Sequence, residues 1–365
     1  MEHFDVLIIG AGLSGIGAGA RLRMDCPGKT FAIIEGREAM GGTWDLFRYP
    51  GIRSDSDMYT LGYRFRPWSD PKAIADGPAI LKYIQETSKD FNLDEKIRYG
   101  HRVGRASWSS EDSRWTVEAE TRPVGNASAP GDGATHIKSF TCNFLYLCTG
   151  YYDYESGYTP EWQGFDHYKG TVVHPQKWPD DLDYAGKKVL VIGSGATAVT
   201  LVPAMAETAA HVTMLQRSPT YVVTMPARDN IANFLRSVLP SKAAYAISRW
   251  KNILRAMLFY KLSRRNPAMM KRTIAKGVAK ELGEEYTEQH FSPDYNPWDQ
   301  RVCIVPDSDL FKSIRDGRAS VVTGHIETCT ETGVRLTNGE RLDADIIVTA
   351  TGLRLKIMAD RRAHV

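Results

Sequence analysis

Short runs of β-branched and aliphatic residues alternate with segments of helical period from the amino terminus onward. FDVLIIG (4–10) and TFAIIE (30–35) read as strands built on the apolar runs VLII and FAII, and GIGAGARLRM (15–24) between them has a helical pattern. Runs apolar throughout predict strands buried on both faces, and their alternation with helices predicts a parallel sheet covered by helices on both sides. Residues 79–90 read as a further helix, and RWTVEAE (114–120) and SFTCNFLYLCTG (139–150) as strands. The Gly/Pro/Ala-rich stretch 121–136 between those two strands predicts an exposed hairpin loop. From Lys187 the pattern starts again, with KKVLVIG as strand, 195–209 as helix and HVTMLQR as strand. The fold class predicted is therefore α/β, with two Rossmann-like dinucleotide-binding domains, each a three-layer arrangement about a sheet, plus a helical insertion.

The insertion is marked by charge. Residues 228–280 hold thirteen Lys or Arg and one acid, Asp229, within a helical pattern. The domain limits that follow are 1–150 for the first nucleotide domain, 151–227 and 299–352 for the two parts of the second, 228–298 for the insertion and 353–365 for a short remnant. The whole chain is nearly balanced, at +3, so charge gives no general argument for nucleic acid or anionic partners. Five scattered cysteines form no CxxC pair, and no His/Cys cluster has metal-ligand spacing, so a reduced, metal-free protein is expected. No apolar run approaches about 18 residues, and the start runs straight into a strand without room for a signal peptide, which predicts a cytoplasmic location.

Gly10, Gly12 and Gly15 make a G-x-G-x-x-G between strand and helix. In such a turn the first glycine permits the sharp bend, the second lets a pyrophosphate approach the backbone, and the third lets helix pack on strand. Glu35 ends the second strand, where a carboxylate accepts hydrogen bonds from a ribose 2′-hydroxyl and would repel a 2′-phosphate. FAD is expected here; the competing reading is a purely structural turn. Gly193, Gly195 and Ala198 repeat the arrangement, with Thr197 in the same turn, and Arg217 and Ser218 stand where the first turn has its acid. A cation there suits the 2′-phosphate of NADPH, unless Arg217 is only a solvated loop residue.

The residues around these turns resemble the flavin-containing monooxygenases, and within them the type I Baeyer–Villiger branch. Gly41-Gly42-Thr43-Trp44, Tyr49-Pro50-Gly51 and Asp55 match the family's pattern near the flavin. Tyr168-Lys169-Gly170 through His174 to Trp178-Pro179 matches its fingerprint, with Tyr168 where most members have Phe. The runs around residues 41–68, 174–184, 191–204 and 295–301 look most like the ethionamide-activating monooxygenases. The resemblance implies that NADPH reduces FAD, that O2 adds to form a flavin C4a-peroxide, and that a ketone becomes an ester or a sulfide or thioamide takes oxygen. It further implies that Arg301 is the active-site arginine, oriented by Asp55, the competing reading of Arg301 being a surface salt bridge. Gly42, Trp44 and Asp55 would lie near the flavin and Val103 near the adenine, although a core valine reads equally well. Gly170, His174 and Trp178 would belong to a linking segment in which His174 orients or hinges, in preference to acid–base chemistry.

Two questions stay open at this level. Trp250, Leu254, Met257, Leu258, Phe259 and Tyr260 interleave the basic insertion, which can be a solvated face or a peripheral contact at the inner face of the cell membrane. Nucleic acid is not expected, since no recognition motif accompanies the charge. Members of the family continue well beyond the ATG strand that ends here at Gly352, so a shortened reading frame is expected. A catalytically impaired dinucleotide-binding fragment, or an NADPH oxidase releasing H2O2, is then the alternative function. A flavin disulfide reductase shares two nucleotide domains but needs the paired redox cysteines that this sequence lacks.

Overall fold

The computed structural model describes residues 1–121 and 136–356 and the backbone of 363–364. The 122–135 part of the expected hairpin loop lies outside the described residues, but Thr121 and His136 on either side of it pair across the two strands. The chain divides into two compact units, one of residues 1–46, 78–156 and 353–365, the other of 47–77 and 157–352.

The first unit is built on a seven-stranded sheet ordered Ala363–His364, His101–Ser109, Arg114–Thr121, His136–Leu147, Glu2–Ile9, Phe31–Ile34, Ile97–Arg98. Glu2–Ile9 runs parallel to both its neighbours, while the meander His101–Leu147 is antiparallel. Helix Leu13–Asp25 follows the first strand and buries its small residues Gly15, Ala18, Gly19 and Ala20. A side chain at Gly19 would press on Ile33 and Leu93, which is why this helix lies so close to the sheet.

The second unit has a wholly parallel five-stranded sheet ordered Ala319–Thr323, His211–Gln216, Lys188–Ile192, Ile346–Thr349, Thr171–Val173. Alternate residues of its strands enter two separate cores. Val189, Val191, Val212, Met214, Ile346 and Val348 pack with helix Ala196–Met205 and with Leu310 and Phe311 of helix Asp309–Arg315. Leu190, Ile192, Leu215 and Ile347 pack instead with Val334, Leu336 and Cys329. The third layer is thus an antiparallel sheet, Ile326–Thr330, Gly333–Leu336 and Arg341–Asp343, where helices were expected on both faces. Any apolar layer satisfies a strand buried on both sides, so the continuous apolar runs could not tell helix from sheet cover.

The helical insertion leaves and rejoins this unit through a parallel pair of strands, Tyr221–Met225 and Val302–Pro306. Residues 47–77, read from the sequence as part of the first domain, cluster with the second unit. The reason is local packing. A side chain at Gly51, whose φ is +74°, would meet Ala204 and the Thr200 carbonyl on helix Ala196–Met205, and Arg53 makes an ion pair with Asp309. Among the described residues no helix is long and apolar enough to cross a membrane, and no group of three or more His, Cys, Asp or Glu could hold a metal ion.

Candidate functional site

Each unit carries a strand–turn–helix of the same construction at the carboxyl end of a strand with parallel neighbours on both sides, where open α/β sheets bind ligands. In the first, Gly10 has φ +105°, and its N–H donates to the Ile34 carbonyl at 2.7 Å. A Cβ there would lie 2.4 Å from the Cys148 oxygen, and one at Gly15 would lie 1.8 Å from the Gly10 oxygen, so neither position admits a side chain. Gly12 begins the helix with no side-chain cap, leaving the helix start to an anion. Glu35 is buried, and its carboxylate accepts the Ala11 N–H at 2.7 Å and the Arg37 N–H at 3.0 Å. Those bonds fix the carboxylate beside the turn with lone pairs left over for a ribose.

Gly42, at φ +56°, folds against this turn: a Cβ on it would lie 3.1 Å from the Gly12 Cα. Trp44 is partly buried in the short helix Thr43–Leu46 that follows. Val103 is partly buried too, packed against the core of Leu7, Ile9 and Phe140, which accords with its reading as a core valine.

The second turn repeats the first nearly atom for atom. Gly193 has φ +130° and donates to the Leu215 carbonyl at 2.8 Å, and a Cβ on it would lie 2.3 Å from the Ala350 oxygen. Gly195 begins helix Ala196–Met205 without a side-chain cap, and Ala198 is fully buried against the sheet. Arg217 and Ser218 are exposed just beyond strand His211–Gln216, and Arg217 makes no hydrogen bond or ion pair among the described residues. Thr197 hydrogen-bonds the phenol of Tyr49, whose ionisation burial opposes.

Arg301 lies over this turn. A Cβ added to Gly195 would sit 2.5 Å from one of its guanidinium nitrogens. Arg301 and Asp55 are both exposed, and among the described residues no hydrogen bond or ion pair joins them. They share a neighbour, the buried Cys303. Burial pushes that thiol up to about 11, with Arg301 pulling it down and Asp55 pushing it up.

The linking segment is more tightly determined. A Cβ at Gly170 would meet the Tyr168 hydroxyl at 2.2 Å and the Asp345 carbonyl at 2.6 Å, and Tyr168 donates to the Ala344 carbonyl at 2.9 Å. The His174 ring covers Gly157, whose Cβ would fall 2.0 Å from it. His174 Nδ1 accepts the Gln176 N–H at 3.2 Å, so the proton is on Nε2, which donates to the Gly352 carbonyl at 3.2 Å. Burial holds its pKa below the ordinary histidine value. Trp178 packs edge-on against Tyr184, 6.5 Å between centroids, at the border of the second unit's core.

A family model described as flavin-binding monooxygenase-like matches residues 70–358, and one described as an NAD(P)-binding Rossmann-like domain matches 8–71. The chain belongs to the flavin-binding monooxygenase-like family. That family is flavin-binding, the matched Rossmann-like domain is NAD(P)-binding, and the chain is an oxidoreductase. The FAD-containing monooxygenase EthA of Mycobacterium tuberculosis H37Rv is 52% identical over 366 residues, all of this chain and 72% of its own length. EthA of Mycolicibacterium smegmatis is 51% identical over 358 residues, covering 98% of this chain and 70% of that protein. Among solved structures, an oxidized steroid monooxygenase bound to NADP superposes with TM-score 0.76 at 24% identity, covering 96% of this chain and 71% of that one. Cyclohexanone monooxygenase in an open form gives 0.76 at 21% identity, with 97% and 74% covered.

Two tyrosines stand at the turns in roles that the sequence does not show. Tyr154 hydrogen-bonds Thr43, and its hydroxyl stands 3.3 Å from where a Gly42 Cβ would be. Tyr49 was visible only as the first member of the Tyr49-Pro50-Gly51 turn. Neither position has a local signal, because a tyrosine's partner is set by folding. Arg37 likewise braces the first turn, donating to the Gly42 carbonyl at 3.2 Å and to Asp45 at 2.6 Å.

Proposed function

We propose that the turn of Gly10, Gly12, Gly15 and Glu35 holds FAD, that the turn of Gly193, Gly195, Thr197, Ala198, Arg217 and Ser218 holds NADPH, and that the chain uses O2 to convert ketones to esters. Sulfides and thioamides are further substrates in this reading. When bound, the flavin supplies electron transfer from NADPH and the activation of O2. The rest is the work of side chains. Glu35, already held by two N–H groups, orients a ribose hydroxyl and disfavours a 2′-phosphate. Arg217, without an ion pair among the described residues at the matching position, attracts one.

The observation that carries the oxygen-transfer reading is the exposed Arg301 guanidinium over Gly195, without a hydrogen bond or ion pair among the described residues. A permanent cation over the Gly195 turn could, with the cofactors bound, hold an anionic oxygen and steady negative charge on a ketone oxygen under attack. Asp55, which shares the neighbour Cys303 with Arg301, would orient that guanidinium. Having both ring nitrogens engaged and a lowered pKa, His174 holds the strand ends and moves no proton. The relatives named EthA support the family chemistry, and the choice of substrate is this chain's own question.

The test is the purified chain with FAD, NADPH, O2 and a simple ketone, following the 450 nm flavin band, ester formation and H2O2. Arg301→Ala is expected to keep flavin reduction within about threefold at saturating NADPH and to lose ester formation by roughly 10²–10³-fold. A variant that loses only NADPH affinity and still forms ester at the native rate would make Arg301 a cofactor ligand and nothing more.

A further inference from the structure

The two outer helices of the insertion are amphipathic in the reverse of the usual sense, with polar faces turned into the second unit and apolar faces turned to solvent. Helix Ser241–Arg265 buries Ala244, Tyr245, Ser248 and Asn252, spaced as one helical face. Two of these buried groups bond inward, Tyr245 donating to the Tyr59 carbonyl at 3.3 Å and Asn252 to Asp57 at 3.1 Å, and the half-buried Arg249 beside them donates to the Thr60 carbonyl at 3.2 Å. The opposite face carries Ile247, Trp250, Leu254, Met257 and Leu258, spaced 3, 4, 3 and 1, each between 48% and 61% exposed. That row continues at helical spacing into Lys261 and Arg265. Helix Asn230–Val238 repeats the inversion. Its Asn233 and Arg236 donate to the Pro71 and Ser69 carbonyls, and its Ile231, Phe234 and Val238 are 59%, 65% and 56% exposed.

A soluble helix normally does the reverse, and exposed apolar residues gathered on one face mark an interaction surface. The surrounding charge identifies the occupant. Thirteen cations accompany one acid between residues 228 and 280, and that acid, Asp229, is paired with Lys251. On the long helix Lys242, Arg255, Lys261 and Arg265 are exposed and make no ion pair among the described residues. Phenylalanine and tryptophan on an apolar face, flanked by unpaired lysine and arginine, suit the interface of an anionic bilayer: apolar groups enter the acyl boundary while long cations reach back to the phosphates. We propose that helices Asn230–Val238 and Ser241–Arg265 form a peripheral docking surface for anionic phospholipid. The inference is independent of the oxygen-transfer reading.

Co-sedimentation tests it with two kinds of vesicle, pure phosphatidylcholine and phosphatidylcholine carrying about 30% phosphatidylglycerol. The full chain is expected to pellet at least about tenfold more with the anionic vesicles, to lose that excess at about 0.5 M salt, and to show a blue-shifted tryptophan emission that Trp250→Phe reduces. The double variant Phe234→Ser/Trp250→Ser is expected to stay in solution. Lys261→Glu/Arg265→Glu, altered only at exposed cations, should do the same with an unchanged melting curve, and it serves as the decisive variant should the first fail to fold. Equal pelleting with neutral vesicles, or undiminished binding by the charge-reversed variant, overturns the proposal. So does a dimer on gel filtration that dissociates in either variant, because the occupant is then a second copy of the chain.

Discussion

His174 shows how much one residue's chemistry depends on its surroundings. Its Nδ1 faces a backbone N–H, which a protonated ring could not accept, and burial adds to the cost of charge. The folded-state pKa therefore lies below the ordinary value of 6.5, and the unfolded chain binds the proton more tightly. Stability from this group is full above pH 6.5 and is lost as the pH falls through that value toward the folded one. The carboxylates held low by their partners, such as Asp299 beside Arg264, titrate only at more acid pH and leave this window clear. Melting temperature is expected to fall between about pH 7.5 and about pH 5.5, and His174→Gln should flatten part of the slope. His290, whose pKa burial also lowers, accounts for the remainder. An unchanged pH profile in His174→Gln would remove the histidine from this role.

At the scale of elements, the insertion is a set of helices hung from one parallel strand pair, two of which meet at one acid. Asp229 caps helix Asn230–Val238 by accepting the Ala232 N–H at 3.0 Å. It also accepts from Lys251 at 2.6 Å and from Asn252 at 3.3 Å on the neighbouring helix. Burial disfavours its charge, but the Lys251 ammonium and these donors prevail and hold the carboxyl below its usual range. Asp229→Ala removes a cap and leaves a half-buried ammonium without its partner, at a cost of about 2–4 kcal/mol. The expected result is faster proteolytic cleavage between residues 228 and 280 with the two nucleotide turns intact, as judged by cofactor retention. Cleavage at the native rate would mean that the helices are held by their other contacts.

For the whole molecule, the main feature is a duplicated turn whose copies differ most in charge at the end of the second strand. Gly10 and Gly193 both have positive φ and a backbone carbonyl pressed against them, of Cys148 and of Ala350, while Glu35 stands beside the first turn and Arg217 at the matching place of the second. If Arg217 selects NADPH, Arg217→Ala should raise the KM for NADPH about 10- to 100-fold, the worth of a charged hydrogen bond, and leave NADH nearly unchanged. Steady-state oxidation of the two nucleotides measures this. An equal effect on both would show that Arg217 meets the shared part of the cofactor.

Both dinucleotide turns, the duplication, the basic insertion and the fingerprint were legible in the sequence, because each depends on residues close together in the chain. A glycine is required wherever a Cβ would strike a backbone carbonyl, and apolar runs read the same whatever covers them. For that last reason the sequence could not foresee that one face of the second sheet is covered by strands, and the packing of residues 47–77 with the second unit rests on partners distant in sequence, Gly51 on Ala204 and Arg53 with Asp309. The helical pattern of the insertion was equally plain, but which face is buried is decided by partners distant in sequence. Tyr59, Asp57, Ser69 and Pro71 offer polar groups, and the helices turn their own polar residues toward them. Local sequence determined where the chain can bend and bind phosphate; tertiary contacts alone decided which side chains face one another, Arg301 over Gly195 and an apolar stripe toward solvent.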